Sequence, residues 1–538
     1  MLTEWQIVNF GSVRPCPQRY ALMSSTPPQP LSPAACPRGW DALYANPLPW
    51  LIVLAVAHIA IRVAISPALQ WDEAEQMLWS QQLQWGYGAQ PPLYTWLQWG
   101  VNQILGPSVL ALSLLKHALI VLTCVLMWLA GRELLGLRAA WWAAASLFLL
   151  PIFGWYAISD LTHTVLVTTM TCGAWWLLLR IVRRCGSGCQ REFAVLGLVL
   201  GCGMLAKYNF ALMAAALIAA LLSVRQTRRA LLARGWWWTV LIGLIVVAPH
   251  GLWLLAHWPA ATAGTLKKME IMPHHHWGAG VGSLLIAVLS TLALWALAAW
   301  AAFDSGWWRR PANTPETPDW LRPVFGRYLA LIALALLGMV LAADVSAFRD
   351  RWMMPLLAPV PLMAFALRPE LEIHPHGNRF AGMVLALILV ALVAAGAQPW
   401  FAYADGKAHP LNQPAVQLAQ ALQRAGYDGQ DCIIAADPVL AGTLRTRFAA
   451  APAHVCDPDA DVADCAAATT QQAERAGRGW LLISRVDAIQ PDWWAQALSG
   501  IPGGENLPLG NLRIPFHIVP HDTPFASYDF VWHPAPAR

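Results

Sequence analysis

Long apolar runs alternate with short polar interruptions over most of this chain. Windows near 48–66, 107–130, 139–158, 162–182, 193–206, 209–224, 236–256, 281–303, 327–343, 352–367 and 380–397 are mostly apolar. A helix needs about 20 such residues to cross the hydrocarbon of a bilayer, so the pattern predicts eleven or more spans. The two windows flanking Lys207 are short, and form either two spans or one long or broken helix. Beyond residue 400 the pattern changes. "PAVQLAQALQRAGYDGQDCIIAADPVLAGTLRTRF" reads as an amphipathic helix, a short strand at 431–435 and a second helix, and "WLLISRV" at 480–486 reads as another strand. A small soluble α/β domain is expected there.

Composition agrees with lipid as the solvent. Hydrophobic residues make up 57% of the 538 and charged ones only 12%, with a mean hydropathy of +0.46, which excludes an ordinary soluble protein. Cations fall in alternate loops: Arg132 and Arg138, then Arg180 to Arg191, Arg225 to Arg234, Arg309 to Arg327, and Arg368 with Arg379. Short cytoplasmic loops are enriched in lysine and arginine, so these loops face the cytoplasm. The stretch from Val63 to Leu115, which holds neither, faces outward. An odd number of spans starting inside places the C-terminal tail outside too, toward a periplasm. The net charge of +5 belongs to this topology and gives no argument for nucleic acid. The expected organisation is a disordered cytoplasmic leader over 1–45, a transmembrane domain over 46–400 with its first outer loop at 66–106, and a periplasmic α/β domain over 401–538.

Cysteines divide by compartment. Cys432, Cys456 and Cys465 lie in the outer domain, where one disulfide, Cys456 with Cys465, would leave Cys432 free. Cys185 and Cys189 have a zinc-like spacing without a second pair, and are read as inert.

The candidate chemistry sits in the outward segment "QWDEAEQMLWSQQLQWGYGAQPPLYTWLQW", residues 70–99, where Asp72, Glu73 and Glu75 have no basic neighbour in sequence. They could simply favour the first turn of a surface helix starting at Trp71. Trp79, Trp85, Tyr87, Tyr94, Trp96 and Trp99 suit the headgroup layer, however, and would hold a carboxylate at the depth of a lipid phosphate.

The order Asp72-Glu73-Ala74, Ser80-Gln81, Trp85-Gly86-Tyr87 and Pro91-Pro92-Leu93 resembles the GT-C glycosyltransferases of the protein O-mannosyltransferase and lipid A aminoarabinose transferase type, with their RgtA/B/C/D-like bacterial members. The resemblance extends to Asp160 in "AISDLTH", Lys207 in "GCGMLAKYNF", "PHGLWLLAHW" and "FRDRWMMPLL", and covers about 48–400. It implies a GT-C-like polytopic α-helical membrane fold and a bacterial inner-membrane enzyme. Such an enzyme moves a sugar from a polyprenyl-phosphate carrier, undecaprenyl phosphate in bacteria, to an envelope glycan, lipid or protein acceptor. Asp72 matches the family's catalytic carboxylate, Glu73 its neighbour that orients it, and Asp160 the second-loop acid.

A leaving phosphate needs cations on the same face, and Lys207, Arg349 and Arg351 are the candidates. The competing readings are a snorkelling Lys207 and arginines paired with Asp344 and Asp350. Tyr87, Gln90, His163, Tyr208 and His250 are expected to contact donor or acceptor. No cofactor is expected; a divalent metal held by His250, His257 or His163 is the alternative. His274, His275 and His276 are read as loop residues. Ala89 and Gln90 stand where some relatives carry an acid or histidine and a lysine or histidine. A transporter, or a scaffold in which Asp72 and Asp160 are dispensable, are the competing functions.

Overall fold

The computed structural model describes residues 40–184, 189–259, 261–262, 277–307, 317–401, 409–458, 461–486, 492–518 and 525–535. The expected leader therefore lies almost wholly outside the described residues, and Trp40–Arg538 form one compact unit.

Seven helices among the described residues are long and apolar enough to cross a membrane, or nine if two bent pairs each count as one span. The seven are Leu48–Ile65, Val109–Leu134, His163–Arg184, Trp236–Ala256, Trp277–Phe303, Leu321–Ala342 and Gly377–Trp400. The other windows are helical too, but interrupted. Gln190–Ala206 is 17 residues long, and the window 352–367 is split between Asp350–Leu357 and Val360–Ala366.

The interruptions have local causes. Leu137–Leu149 and Ile152–Ser159 meet at 74° around Pro151, which has no N–H to continue the ladder. Gly154 allows the bend to close, since a Cβ there would lie 2.0 Å from the Phe148 carbonyl oxygen. The second bent pair, Phe210–Ser223 and Arg225–Leu231, meets at 116° about Val224, while Lys207, with extended backbone (φ −167°, ψ 139°), lies in the short connection between Gln190–Ala206 and Phe210–Ser223. The bend at Pro151 and the connection at Lys207 present polar residues, Asp160 and Lys207, near the same place.

That place is roofed by the first loop. Helix Trp71–Trp79 starts with a capping box: Gln70 and Glu73 satisfy each other's backbone N–H groups. Glu73 then turns into the helical bundle, where it is 1% exposed. One carboxylate oxygen accepts from Arg62 Nη2 at 2.6 Å and the other from Lys116 Nζ at 3.2 Å. Arg62 also donates to the carbonyls of Ser66 and Ala68, and Lys116 to that of Ser159. Burial alone would push the Glu73 carboxyl up, but the two cations hold it at about 2. The outward segment is thus neutralised by the residues at its borders, Arg62 and Lys116, which sequence adjacency had hidden. Glu73 is a buried anion with both oxygens consumed inside the bundle, so it can act on Asp72 only through the seating of the helix they share.

The C-terminal part forms a five-stranded sheet in the order β2-β1-β3-β5-β4. β1 (Cys432–Ala435), β2 (Ala453–Val455) and β3 (Trp480–Arg485) are parallel; β5 (Ala526–His533) joins β3 and β4 (Gly510–Ile514) antiparallel. Helices Pro438–Arg447 and Val462–Arg475 make the crossovers. The parallel strands are buried on both faces, with Ile433 and Leu481 in one apolar cluster and Ile434 and Leu482 in another. Cys456 and Cys465 are disulfide-bonded and Cys432 is free, as the compartment reading expected. Cys189 is in a disulfide, which corrects its reading as an inert thiol, and Cys185 lies outside the described residues.

The sheet does not float above the bundle. Helix Pro438–Arg447 lies directly on helix Trp71–Trp79, and Val439 joins Leu69, Ala74 and Met77 in one small apolar cluster.

Replacing Glu73 by glutamine leaves two buried cations without their anion, and should cost about 3–5 kcal/mol of stability. The stability that comes from a depressed carboxylate is present above its ordinary pKa of 4.5 and lost as pH falls toward about 2. Thermal unfolding in detergent should accordingly show a wide gap between wild type and Glu73→Gln at pH 7 that narrows with acidification. Equal stability at pH 7 contradicts the anchoring role.

Candidate functional site

A cavity of about 350 Å³ opens where the first loop meets His163 and Thr164, the connection at Lys207 to Asn209 and the segment from Phe348 to Leu356. Asp72, Gln90, His163, Lys207, Tyr208 and Arg351, all expected from sequence, line it together. These residues are separated by up to 279 positions in the chain, between Asp72 and Arg351.

Asp72 comes from the first turn of helix Trp71–Trp79, on the face opposite the Ala74 side that the C-terminal part covers. Its backbone N–H donates to Asp160 Oδ1 at 3.0 Å, and its carboxylate accepts from the backbone N–H of Thr162. The two segments therefore clasp each other, and the bend at Pro151 is what brings Asp160 there. Burial pushes the Asp72 carboxyl up, against the opposing pull of Arg351 and Lys207. Burial, then the negative charges of Asp72 and Glu73, push Asp160 up to about 7. Asp160 does not line the cavity among the described residues, so the structure gives it the place of a support behind Asp72.

The cations divide. Lys207 reaches the cavity from the helix break and donates to Thr164 Oγ1 at 2.9 Å. Arg351 lines the same cavity from the first turn of Asp350–Leu357. Neither Arg349 nor Arg351 forms an ion pair with Asp344 or Asp350 among the described residues; Asp350 Oδ1 accepts instead from the Arg351 backbone N–H at 2.8 Å. Arg349 caps that helix from outside, is exposed, and does not line the cavity. Its expected phosphate contact is corrected, because the helix turn after it points Arg351, not Arg349, inward. Lys267 and Lys268 lie outside the described residues.

Several expected contacts prove to be framework. Tyr87 is buried, donates to the Gln82 carbonyl at 2.6 Å and accepts from the Gln84 N–H, so it fixes the loop rather than facing the cavity. His250 accepts from or donates to Tyr208 Oη at 3.2 Å and meets the Trp85 carbonyl at 2.6 Å, stacking on the Tyr208 ring from behind. A carbonyl only accepts, so Nδ1–H donates to Trp85 and Nε2 accepts from Tyr208. His163 reaches the cavity wall, yet both of its nitrogens are engaged, with the Gln76 amide at 3.0 Å and the Ala206 carbonyl at 3.3 Å. Gln90 does line the cavity, held by paired backbone bonds with Tyr87 around Gly88, whose φ of +55° favours glycine.

Three cavity residues escaped the sequence reading. Glu75 lies three positions after Asp72, which places both on one helical face; that spacing was the available signal. Asn209, two residues past Lys207, lines the same break and donates to the Trp352 carbonyl at 3.0 Å. Trp352 follows Arg351 directly within "FRDRWMMPLL", a stretch the sequence marked without giving Trp352 a role. No group of three or more histidine, cysteine or acidic side chains among the described residues is placed to hold a metal, and His274 to His276 lie outside them.

Comparison with known proteins fits this geometry. Residues 89–253 match the family described as dolichyl-phosphate-mannose-protein mannosyltransferase. The lipopolysaccharide core galacturonosyltransferase RgtA of Rhizobium johnstonii is 29% identical over 469 residues, covering 86% of this chain and 92% of RgtA. RgtB of the same organism is 31% identical over 415 residues, covering 75% of this chain and 82% of RgtB. Among solved structures, ArnT from Cupriavidus metallidurans shares the fold at 13% identity, over 98% of its own length and 89% or 91% of this chain. Its TM-score is 0.55 in the apo state and 0.57 bound to undecaprenyl phosphate. A membrane bundle with one acidic loop helix over a cation-lined cavity, and this extent of likeness, make the chain a member of the RgtA and RgtB family of GT-C membrane glycosyltransferases.

Proposed function

We propose that this enzyme transfers a sugar from a polyprenyl-phosphate carrier to an envelope glycan on the periplasmic side of the bacterial inner membrane. The observation that carries the reading is Asp72 facing Lys207 and Arg351 across one cavity. In a direct displacement, the acceptor hydroxyl gives its proton to the Asp72 carboxylate as its oxygen bonds to the anomeric carbon. The bond from that carbon to the phosphate oxygen breaks, and its electron pair leaves with the polyprenyl phosphate. Lys207 and Arg351 are suited to hold that phosphate as its charge grows. Asp160 and the Thr162 N–H keep Asp72 oriented, and Glu75, Gln90 and Asn209 remain to recognise sugar or acceptor hydroxyls.

Support for the carrier comes from a fold neighbour solved with undecaprenyl phosphate. Support for the acceptor comes from relatives named for the lipopolysaccharide core, whose galacturonosyl transfer makes a uronosyl carrier the first donor to test. Membrane lipids surround the transmembrane domain, 46–400 on this reading, with the N-terminus cytoplasmic and 401–538 periplasmic. The alternating arginine loops support that orientation.

Sugar transfer from radiolabelled polyprenyl-phosphate donors in membranes, at matched expression, tests the reading. Asp72→Asn should lower the rate by roughly 10²- to 10⁴-fold, the contribution of a positioned base; transfer at the wild-type rate would sink the assignment. Lys207→Ala and Arg351→Ala should each cost about 1.5–3 kcal/mol in kcat/KM for the donor, the worth of a charge-assisted contact.

The pH dependence has a definite sign. A base with a raised pKa works only when ionised, so the rate should fall as pH drops through that pKa. Arg351→Ala removes the positive charge that does most to favour the Asp72 carboxylate against burial, so its acid limb should move to higher pH than that of the wild type, and a shift downward would contradict the pairing.

A further inference from the structure

The side of helix Trp71–Trp79 that faces away from the cavity is held by the C-terminal α/β part at three points. At its centre Gly442 sits so close that a Cβ there would come within 2.8 Å of Ala74 Cα and 2.9 Å of Ala74 Cβ. Ahead of the helix, the Leu69 N–H donates to Thr443 Oγ1 at 3.2 Å, and His517 Nε2 meets the Ile65 carbonyl at 3.1 Å. Behind it, the Gln81 side-chain amide bonds both backbone groups of Ala453, donating to its carbonyl at 2.8 Å and accepting from its N–H at 2.9 Å. Ala453 opens β2, an edge strand of the sheet, so Gln81 fills the place that the peptide of a further strand would take.

No residue beyond Leu356 lines the cavity among the described residues. The C-terminal part therefore touches the back of the helix and leaves the cavity wall to the rest of the chain. Two helices touching through glycine and alanine have no long side chain between them to absorb a shift, so the separation of their axes is set by backbone contact. Asp72 lies two residues from Ala74 on the same short helix. Any change in that separation moves it relative to Lys207 and Arg351.

We propose that Gly442 and Gln81 are positioning residues for the transfer reaction: the C-terminal α/β part fixes the height of the Asp72 helix over the cavity, and so sets the rate of the chemical step. The proposal rests on the reading of Asp72 as base. It assigns the C-terminal part a role that neither donor nor acceptor contact would give it.

The test uses the full-length protein in membranes, with kcat, donor KM and the pH profile measured separately. Gly442→Val should lower kcat by roughly 10- to 100-fold, the scale set by an ångström of misplacement, with donor KM little changed and the acid limb displaced. Because the larger variant can fail to fold, Gly442→Ala is measured alone and together with Ala74→Gly, which removes the opposing methyl. Recovery of kcat in the double variant relative to Gly442→Ala supports the proposal, as does a lowered kcat in folded Gly442→Val or Gln81→Ala. Wild-type kcat and pH profile in folded Gly442→Val, or equal kcat loss in the single and double alanine-glycine variants, overturns it. Inactivity of the wild type itself, or full activity of Asp72→Asn, would instead count against the proposed function.

Discussion

A single buried carboxylate organises this end of the molecule. Glu73 is ionised between Arg62 and Lys116, and those two cations also hold the carbonyls of Ser66, Ala68 and Ser159. Four pieces of chain meet at that charge: the first span, the first loop, the span Val109–Leu134 and the bend that ends at Ser159. A buried ion pair is a weak source of net stability, but it is unforgiving of geometry, because any member displaced from its partners is left uncompensated. The loop helix therefore has one admissible seating. Asp72, one residue earlier, inherits that seating and is turned the other way, into the cavity.

Two neighbouring acids thus do opposite work because a helix turns by about 100° per residue. One is buried among cations and kept charged; the other borders a cavity, where burial opposes its charge and Lys207 and Arg351 favour it. The bend at Pro151 and the connection at Lys207 complete the pattern, since each delivers a polar residue to the site from the end of an apolar helix. An uninterrupted bundle of the same composition would have no means of placing Asp160 or Lys207 beside Asp72.

Much of this was legible in the sequence. The apolar windows are almost wholly helical, the order of motif residues identified the fold, and Asp72, Lys207 and Arg351 line one cavity. What failed was everything that depends on which way a side chain turns. Glu73 looked like an acid without a counter-ion because its partners, Arg62 and Lys116, are 11 and 43 residues away along the chain. Glu75 was passed over although its spacing from Asp72 placed it on the cavity face. Tyr87 and His250 have the right chemistry, but their polar atoms are spent on the Gln82 and Trp85 carbonyls, contacts no local pattern encodes. Within the sheet, the buried strands β1 and β3 were visible as apolar runs, whereas β2, of three residues, and the half-exposed β4 were too short or too mixed to stand out.

The amide bridge from Gln81 to β2 also orders events in time. The loop that carries Gln81 is synthesised hundreds of residues before the strand it caps, and an uncapped edge strand is a template for pairing with other chains. Until the last strands arrive, the loop helix has the ion triad beneath it but nothing behind it; once they arrive, the sheet loses one open edge and the helix gains its backing in the same event. Assembly of the C-terminal sheet and completion of the site are then one step, so a chain whose tail has not folded presents a finished helical bundle whose loop helix has nothing behind it.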